Sequence, residues 1–323
     1  MRSLICATVA AVGMMSWAGT VWAEDDAYPN RAVKIVVGFQ PGGPTDVVAR
    51  LVAKALQEEL KGAFVVENKP GATSNIASES VASAKPDGYT LLFAASPLVM
   101  NKFTYPMQKF DPVKSFEPIS KISSAPGVLA ATNKLPVKDY KEFEALAKKE
   151  PGKLNYGSTG NGGTQHMAML KLQALTGIDM AHIPYGGGSG AMNDLIAGNI
   201  DVAFMTATGA MPALVAGTVH PLAVAGPKRL PELPNVPTFA ELGIPEMKSD
   251  SWNALLAPAG TPKPIVDKLA AVLEKAVKTK EFSDVLGPQG AMLIGNSPEE
   301  FRAELIAEDA YWNEQFKNVK LDK

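Results

Sequence analysis

Short apolar runs rich in β-branched residues alternate with amphipathic helical segments in the first third of the chain. The predicted elements here are strands at 33–37, 64–66 and 91–94 and helices at 44–56 and 74–84. This strand–helix–strand–helix–strand order predicts a parallel sheet with right-handed crossovers. Ligands bind at the carboxyl ends of such strands, which places the candidate loops at 39–45, 70–74 and 96–101.

The alternation continues over the rest of the chain. An extended pattern at 116–132, interrupted by Pro118 and Pro126, predicts a strand that crosses into a second domain. The further predicted elements are strands at 154–156, 182–184, 202–205, 222–225 and 253–257 and helices at 139–149, 165–176, 191–197, 262–278 and 297–317. The strand at 253–257 is expected to return to the first domain. Four prolines within 226–237 predict a stiff connection, either an ordinary loop or a domain linker.

Two glycine-rich turns stand out because each follows a predicted strand and opens a predicted helix. We call residues 39–45 the first Gly-rich loop and residues 157–164 the second Gly-rich loop; neither contains Lys or Arg. The free backbone N–H groups and the positive dipole end of a helix start form an anion site. Either loop alone could be no more than a tight turn. The pair, one in each half, favours a ligand held between two domains that close around it.

The amino terminus has the composition of a secretory signal peptide. Arg2 precedes an apolar stretch at 4–15, and Val21-Trp22-Ala23 ends the segment with small residues where signal peptidase cuts. The alternative, a membrane anchor, needs a longer apolar run. We therefore expect residues 1–23 to be removed after Ala23 and the remainder to be exported. The only Cys lies inside this segment, so no thiol is expected in the mature chain.

Composition and motif spacing exclude several classes of function. A net charge of −2 gives no basis for nucleic acid as a partner. The three His residues have no metal-ligand spacing, and no Gly-x-Ser-x-Gly nucleophile motif occurs. The pattern Gly186-x-Gly188-x-x-Ala191 resembles a dinucleotide fingerprint, yet the acidic residue expected about twenty positions later is absent. We expect no metal, no cofactor and no enzymatic activity, with an exported dinucleotide-binding enzyme as the weaker alternative.

Several sequence blocks, in one order along the mature chain, resemble the Bug family, the extracytoplasmic solute receptors of tripartite tricarboxylate transporters. The matching blocks are 28–29, 41–46, 49–50, 67–72, 86–92, 157–160 with His166, 182–185, 194–198 and 231–239. The resemblance implies an α/β periplasmic-binding-protein fold of the type II kind. Each of its two domains would be a mainly parallel sheet flanked by helices, and two strands would form the hinge. The expected division is 24–125 with 250–323 for domain 1 and 126–249 for domain 2.

The resemblance also implies a function and a binding site. The expected protein is a periplasmic monomer that takes a small organic carboxylate to the permease subunits of a transporter; presentation of the ligand to a sensor kinase is the alternative. Its ligand is expected to lie between the two Gly-rich loops and the neighbouring turns. The expected ligand-binding residues are Phe39, Gly42, Gly43, Thr45, Asp46, Ser96, Ser158, Gly160, Asn161, Thr164, His166, Tyr185, Gly188, Ser189, Met205 and Thr206.

Three positions depart from the pattern of the resembled family. Acidic residues are usual where this chain has Leu170 and Met205, and Lys is usual where it has Gly186. A cleft without these acids offers nothing to an α-ammonium group, which predicts a non-amino dicarboxylate as ligand. Phe39, Met205 and Tyr185 could cover an aromatic body, so we expect an aromatic dicarboxylate such as terephthalate in preference to citrate or a C4 acid.

Overall fold

The computed structural model describes residues 28–318 apart from 106, 159, 161, 162, 186 and 187. The expected signal peptide lies outside these residues. Ten strands belong to one continuous sheet system, and helices cover both of its faces. Among the described residues, no helix combines the length and apolar composition that a membrane crossing requires.

The first lobe is built on three parallel strands and the first half of a long fourth strand. Its elements are β1 (Val33–Val37), α1 (Pro44–Leu60), β2 (Phe64–Asn68), α2 (Asn75–Ala82), β3 (Thr90–Ala95), α3 (Pro97–Thr104) and β4 (Phe116–Thr132). β1 lies between β2 and β3 in parallel register. These contacts confirm the parallel sheet predicted from the alternation of strands and helices.

The second lobe is inserted between β4 and the return of the chain. It contains α4 (Tyr140–Lys149), β5 (Asn155–Ser158), α5 (Thr164–Thr176), β6 (Ala181–Pro184), α6 (Gly188–Ala197), β7 (Val202–Thr206), α7 (Ala207–Val215) and β8 (Val219–Val224). β5 pairs in parallel with β6 and β7, whereas β7 and β8 run antiparallel to the second half of β4.

The chain then returns to the first lobe. The returning elements are β9 (Asp250–Pro258), α8 (Lys263–Ala276), α9 (Lys280–Leu286), β10 (Met292–Leu293) and α10 (Pro298–Asn318). β9 runs antiparallel between β3 and β4. β4 is therefore shared, because it pairs with β9 up to Pro126 and with β7 from Gly127 onward. The predicted strand that crosses between the two lobes is confirmed.

Each lobe has an apolar core on both faces of its sheet. In β1, Val33, Ile35 and Val37 pack with α1 and α8, whereas Val36 packs on the opposite face with α2, α3 and α10. This is the alternation that a strand imposes on its side chains. The second lobe has the same arrangement, with α4 and α5 on one face and α6 and α7 on the other.

Four described elements were not predicted from the sequence: α3, α7, α9 and β10. Two of them matter for function. Residues 96–101 were expected to be a loop, but Ser96 instead precedes a helix whose first residue is Pro97. The nine residues of α7 include two weak helix formers, Gly209 and Pro212. Packing of its apolar side chains in the second lobe stabilises this helix.

Candidate functional site

Strand direction places the two Gly-rich loops opposite each other. β3 is antiparallel to β9, and β9 is antiparallel to β4, so β1 and β3 point the same way as β4, toward the second lobe. β5 and β7 run against β4 and therefore point back toward the first lobe. The carboxyl ends of both sets of strands meet at one cleft between the lobes.

The register along β4 gives the width of this cleft. Ala95, the last residue of β3, pairs with Asn253, which in turn pairs with Ser123 of β4. Thr206, the last residue of β7, pairs with Gly127 of β4. The two strand ends are thus offset by four residues of β4, which is about 13 Å at the rise of a strand. A small molecule fits between the starts of α3 and α7, the helices that follow these two strands.

The first Gly-rich loop turns sharply and leaves backbone donors at the start of α1. Gly42 has φ of 78°, and the space where its Cβ would lie is open. Gly43 caps α1 in an extended conformation without any side-chain cap. The N–H of Thr45 has no described acceptor, as expected for the first turn of a helix. The ring of Phe39 packs against the core of the first lobe.

The Asp46 side chain is buried beneath the first Gly-rich loop and holds it by a hydrogen bond, instead of facing the cleft. Its side chain is almost fully buried and accepts hydrogen bonds from the Gly42 N–H at 2.9 Å, Arg50 Nε at 2.8 Å and Asn68 Nδ2 at 2.8 Å. Burial raises the pKa of this carboxyl, but the bonds from Arg50, Gly42 and Asn68 outweigh it and hold the pKa below its ordinary value. Asp46 stays ionised and neutralises Arg50, so the loop presents neutral donors.

The second Gly-rich loop is folded around a serine hydroxyl. Ser158 Oγ accepts the Gly160 N–H at 3.1 Å and lies 2.7 Å from His182 Nε2. Gly160 has φ of 123°, a conformation that residues with a Cβ rarely adopt. Asn161 lies outside the described residues. Ser158 and Gly160 thus shape the loop, as expected for residues at a strand-to-helix turn.

His166 lies at the start of α5, in a stack of aromatic rings. Its imidazole is buried and lies parallel to that of His182, with ring centroids 3.9 Å apart, and the Tyr156 ring lies 4.9 Å from His182 and 6.3 Å from His166. His182 therefore connects His166 to Ser158. The stack ties the start of α5 to the loop that precedes it.

A cavity of about 480 Å³ lies between the lobes beside this helix start. α5 forms one wall, and α3 and α10 form the other. Thr164 Oγ1 touches Met100 Sδ of α3 across the gap at 4.0 Å, and Lys171 Nζ lies 4.9 Å from the centre of the Tyr311 ring of α10. Burial lowers the pKa of Lys171, and the nearby positive charge of Lys248 lowers it further. Of the predicted ligand-binding residues, Ser96 and Thr164 line this cavity.

The turn after β6 contributes a tyrosine whose hydroxyl is already engaged. Tyr185 donates to Asp194 Oδ2 at 2.6 Å, and its backbone N–H donates to the Ser158 carbonyl at 3.0 Å. Burial, followed by the bond to Asp194, raises the pKa of Tyr185 to about 12. Gly188 and Ser189 begin α6. The Tyr185 ring packs against the core of the second lobe.

Three further predicted residues take positions set by the sheet. Ser96 Oγ is buried and accepts the Trp252 N–H of β9 at 2.8 Å, which fixes β9 beside the end of β3. Met205 is buried in the core of the second lobe, with 4% of its surface exposed. Thr206 caps α7 by accepting the Gly209 N–H at 3.3 Å.

Sequence reasoning missed two helix starts at the same cleft. α3 follows β3 and α7 follows β7, so the helix starts at the interlobe edge include those of α1, α3, α5 and α7. A signal was present for both, because Ser96 and Thr206 are residues that favour the position before a helix, and Pro97 favours its first turn. The arrangement concentrates positive dipole ends on the cleft without a single Lys or Arg in either Gly-rich loop.

Sequence reasoning also missed the conformation of the turn after β2. Ala72, Thr73 and Ser74 have φ values of 46°, 49° and 74°, which are left-handed for three successive residues with side chains. Each such residue costs about 1–2 kcal/mol relative to a right-handed conformation. Within the described residues, no group of three or more His, Cys, Asp or Glu side chains is arranged to hold a metal ion.

Comparisons with known proteins support one family. The family model described as "Tripartite tricarboxylate transporter family receptor" matches residues 48–314. The protein BugT of Bordetella pertussis is 31% identical over 289 residues, which cover 89% of this chain and 89% of BugT.

Two solved structures are similar over nearly their whole length. R. palustris Rpa4515 with adipate has a TM-score of 0.82 at 33% identity, covering 90% of this chain and 97% of that one. MatC (Rpa3494) from Rhodopseudomonas palustris with bound malate has a TM-score of 0.77 at 31% identity, covering 89% of this chain and 99% of that one.

Proposed function

The chain belongs to the tripartite tricarboxylate transporter receptor family, and from that premise we propose that it captures a small organic dicarboxylate and delivers it to membrane permease subunits. Its relatives are solute-binding receptors and not enzymes, so the dinucleotide-binding alternative is removed. The family resemblance predicted from sequence blocks is confirmed. Location in the periplasm follows from the family.

One observation carries this proposal. The ends of β3 and β7 point at each other across about 13 Å, and the two Gly-rich loops, which follow the neighbouring strands β1 and β5, contain no cation. Burial of a carboxylate requires hydrogen bonds from its surroundings, and backbone N–H groups at helix starts supply them. Two such sites on opposite walls suit a molecule with an anionic group at each end.

The chemistry of the cleft favours an acid without an amino group. Asp46 is bonded to Gly42, Arg50 and Asn68, so its carboxylate is not offered to an ammonium group. Met205 lies in the core of the second lobe, and Tyr185 packs against it, so neither side chain offers an aromatic ring the apolar wall expected of it. We therefore expect an aliphatic dicarboxylate to bind better than terephthalate. The adipate and malate held by the two R. palustris relatives support this class.

The partners of β4 support the proposed division into domains. The boundaries at 125/126 and 249/250 fall where β4 exchanges β9 for β7, and where the Gly127 N–H donates to the Ser249 carbonyl at 2.8 Å. Two neighbouring segments then form the hinge, and the ligand shifts the equilibrium toward the closed form. The receptor acts as a monomer, because each chain carries both walls of the cleft.

Export is tested separately from binding. Because residues 21–23 fit the specificity of signal peptidase, the mature protein isolated from the periplasm is expected to begin at Glu24. Amino-terminal sequencing of that fraction measures this directly. A mature chain that retains Arg2 would contradict cleavage after Ala23.

Calorimetry with a panel of acids tests the ligand class. We expect saturable binding of adipate, malate or succinate at micromolar levels, roughly −8 kcal/mol, with weaker binding of terephthalate. Aspartate and glutamate serve as matched controls because each adds an ammonium group to a C4 or C5 dicarboxylate. Tight binding of glutamate with no binding of the non-amino acids would refute the assignment. Mass spectrometry of the recovered acid checks that it is released unchanged.

A further inference from the structure

The backbone of the turn after β2 is strained, although this turn lies outside the sheet. Three successive residues with side chains, Ala72, Thr73 and Ser74, take left-handed conformations, which a Cβ normally disfavours because it approaches the following carbonyl oxygen. Such backbone persists only where surrounding contacts enforce it, and it concentrates at ligand-binding sites. The turn follows the carboxyl end of β2, the neighbour of β1, at the edge that faces the cleft.

Neighbouring helices hold the turn in this conformation. Asn101 Nδ2 of α3 donates to the Thr73 carbonyl at 2.8 Å, and Ser78 Oγ of α2 donates to the Ser74 carbonyl at 3.0 Å. The hydroxyls of Thr73 and Tyr105 lie 3.0 Å apart. Side chains therefore hold the carbonyls of Thr73 and Ser74 in place. The backbone fixed in this way sets the direction of the Ser74 side chain.

Ser74 lies directly against the start of the first Gly-rich loop. A Cβ added to Gly38, the residue after β1, would lie 1.9 Å from Ser74 Oγ. Only 4% of the surface of Ser74 is exposed, and its hydroxyl has no hydrogen-bond partner among the described residues. The Ser74 oxygen is not fully buried, so it remains open to an acceptor that a ligand brings.

We propose that Ser74 is a specificity-determining residue of the receptor, whose hydroxyl donates a hydrogen bond to the carboxylate held by the first Gly-rich loop. The inference rests on the proposed function and adds a side-chain donor to the backbone donors of α1. The left-handed turn presents this hydroxyl beside Gly38, and a right-handed turn would direct it elsewhere. A carboxylate oxygen is the appropriate acceptor, since it bonds to O–H donors at short distance.

Two substitutions at Ser74 separate the effect of the hydroxyl on affinity from the effect of backbone strain on stability. Ser74→Ala keeps the Cβ and removes the hydroxyl, so the affinity for the best acid of the panel should fall at least tenfold while Tm does not fall. Ser74→Gly removes the hydroxyl and also relieves the left-handed strain. It should lose the same affinity while Tm rises by about 2 °C.

A third variant controls for strain relief far from the cleft. Lys61, which ends α1, also has a left-handed conformation, with φ of 54°. Lys61→Gly should raise Tm by a similar amount and leave the affinity unchanged, because glycine favours this position after a helix. Thermal unfolding and calorimetry on the same preparations give both numbers.

The outcomes distinguish this inference from the proposed function. If the unsubstituted protein binds an acid of the panel and Ser74→Ala binds it within twofold, the role of Ser74 is refuted while the receptor stands. If the unsubstituted protein binds no carboxylate at all, both fail. A loss of affinity in Lys61→Gly equal to that in Ser74→Gly would assign the effect to backbone rigidity and overturn the role of the hydroxyl.

Discussion

Glu308 of α10 provides a pH-dependent test of the packing between α10 and the strands that cross between the lobes. Its carboxylate accepts the indole N–H of Trp252 at 2.8 Å and that of Trp312 at 3.3 Å. Its pKa is raised from 4.5 to about 7, chiefly by burial and also by the charge of Asp250, against the opposing effects of the two indoles and Lys121. In the folded protein, this carboxyl titrates near neutral pH.

The sign and size of the effect follow from linkage. Between the unfolded pKa of 4.5 and the folded pKa of about 7, the folded state binds more protons, so the free energy of unfolding falls as pH rises. The stabilisation is complete below pH 4.5 and is lost above the folded pKa. A pKa unit corresponds to 1.36 kcal/mol, so we expect a loss of about 2–3 kcal/mol, the lower value allowing for solvent that reaches the partly exposed side chain.

Tryptophan fluorescence reports this titration directly. The chain has four Trp residues, and removal of residues 1–23 leaves only Trp252 and Trp312, both bonded to Glu308. We expect a fluorescence transition near pH 7 in the mature protein, and none in Glu308→Gln, which stays neutral. Urea unfolding at pH 5 and pH 8 gives the stability difference.

The glutamine variant also controls for the histidines, which titrate in the same range. In Glu308→Gln, the fall in unfolding free energy between pH 5 and pH 8 should be smaller by about 2–3 kcal/mol. An identical fluorescence transition in both proteins would assign the titration to another group and refute the reasoning.

Three further predictions test the cleft and the lobe contacts. Gly43 has an extended conformation that valine adopts readily, so Gly43→Val should lose at least a hundredfold in affinity by calorimetry with little change in Tm; retained affinity would place the ligand elsewhere. Tyr311→Leu removes the ring that Lys171 contacts across the lobes, and this cation–π contact contributes about 0.5–1 kcal/mol. X-ray scattering should therefore show a larger radius of gyration for the unliganded variant, and saturating ligand should restore the smaller value. Gly127→Ala would place a Cβ 2.0 Å from Phe204 Cε1 at the lobe crossing, and urea unfolding should show a loss of about 1–3 kcal/mol; an unchanged midpoint would mean that the ring moves freely.

The sequence by itself determined the class of fold and the general location of the site. The alternation of β-branched runs and amphipathic helices identified β1, β2, β3 and the crossing strand β4. These signals are local, because the period of apolar side chains reflects the geometry of one strand or one helix. The two Gly-rich loops were recognisable for the same reason, since glycine is required where the backbone itself must turn.

The tertiary structure decided which residues face the cleft. The family resemblance implied Asp46 as a ligand contact, but Arg50 and Asn68 bind its carboxylate within the first lobe. The pairing of β6 with β5 brings His182 to 2.7 Å from Ser158. Asn68 is 22 positions from Asp46 and Ser158 is 24 positions from His182, and local periodicity carries no record of these contacts.

The same limit explains the missed helices and the strained turn. α7 forms although Gly209 and Pro212 disfavour a helix, because burial of its apolar face outweighs propensity. Ser74 takes a left-handed conformation that its own chemistry opposes, because side chains of α2 and α3 fix the carbonyls of the turn. Local sequence sets preferences of about 1 kcal/mol per residue, and tertiary contacts that sum to more than this reverse them.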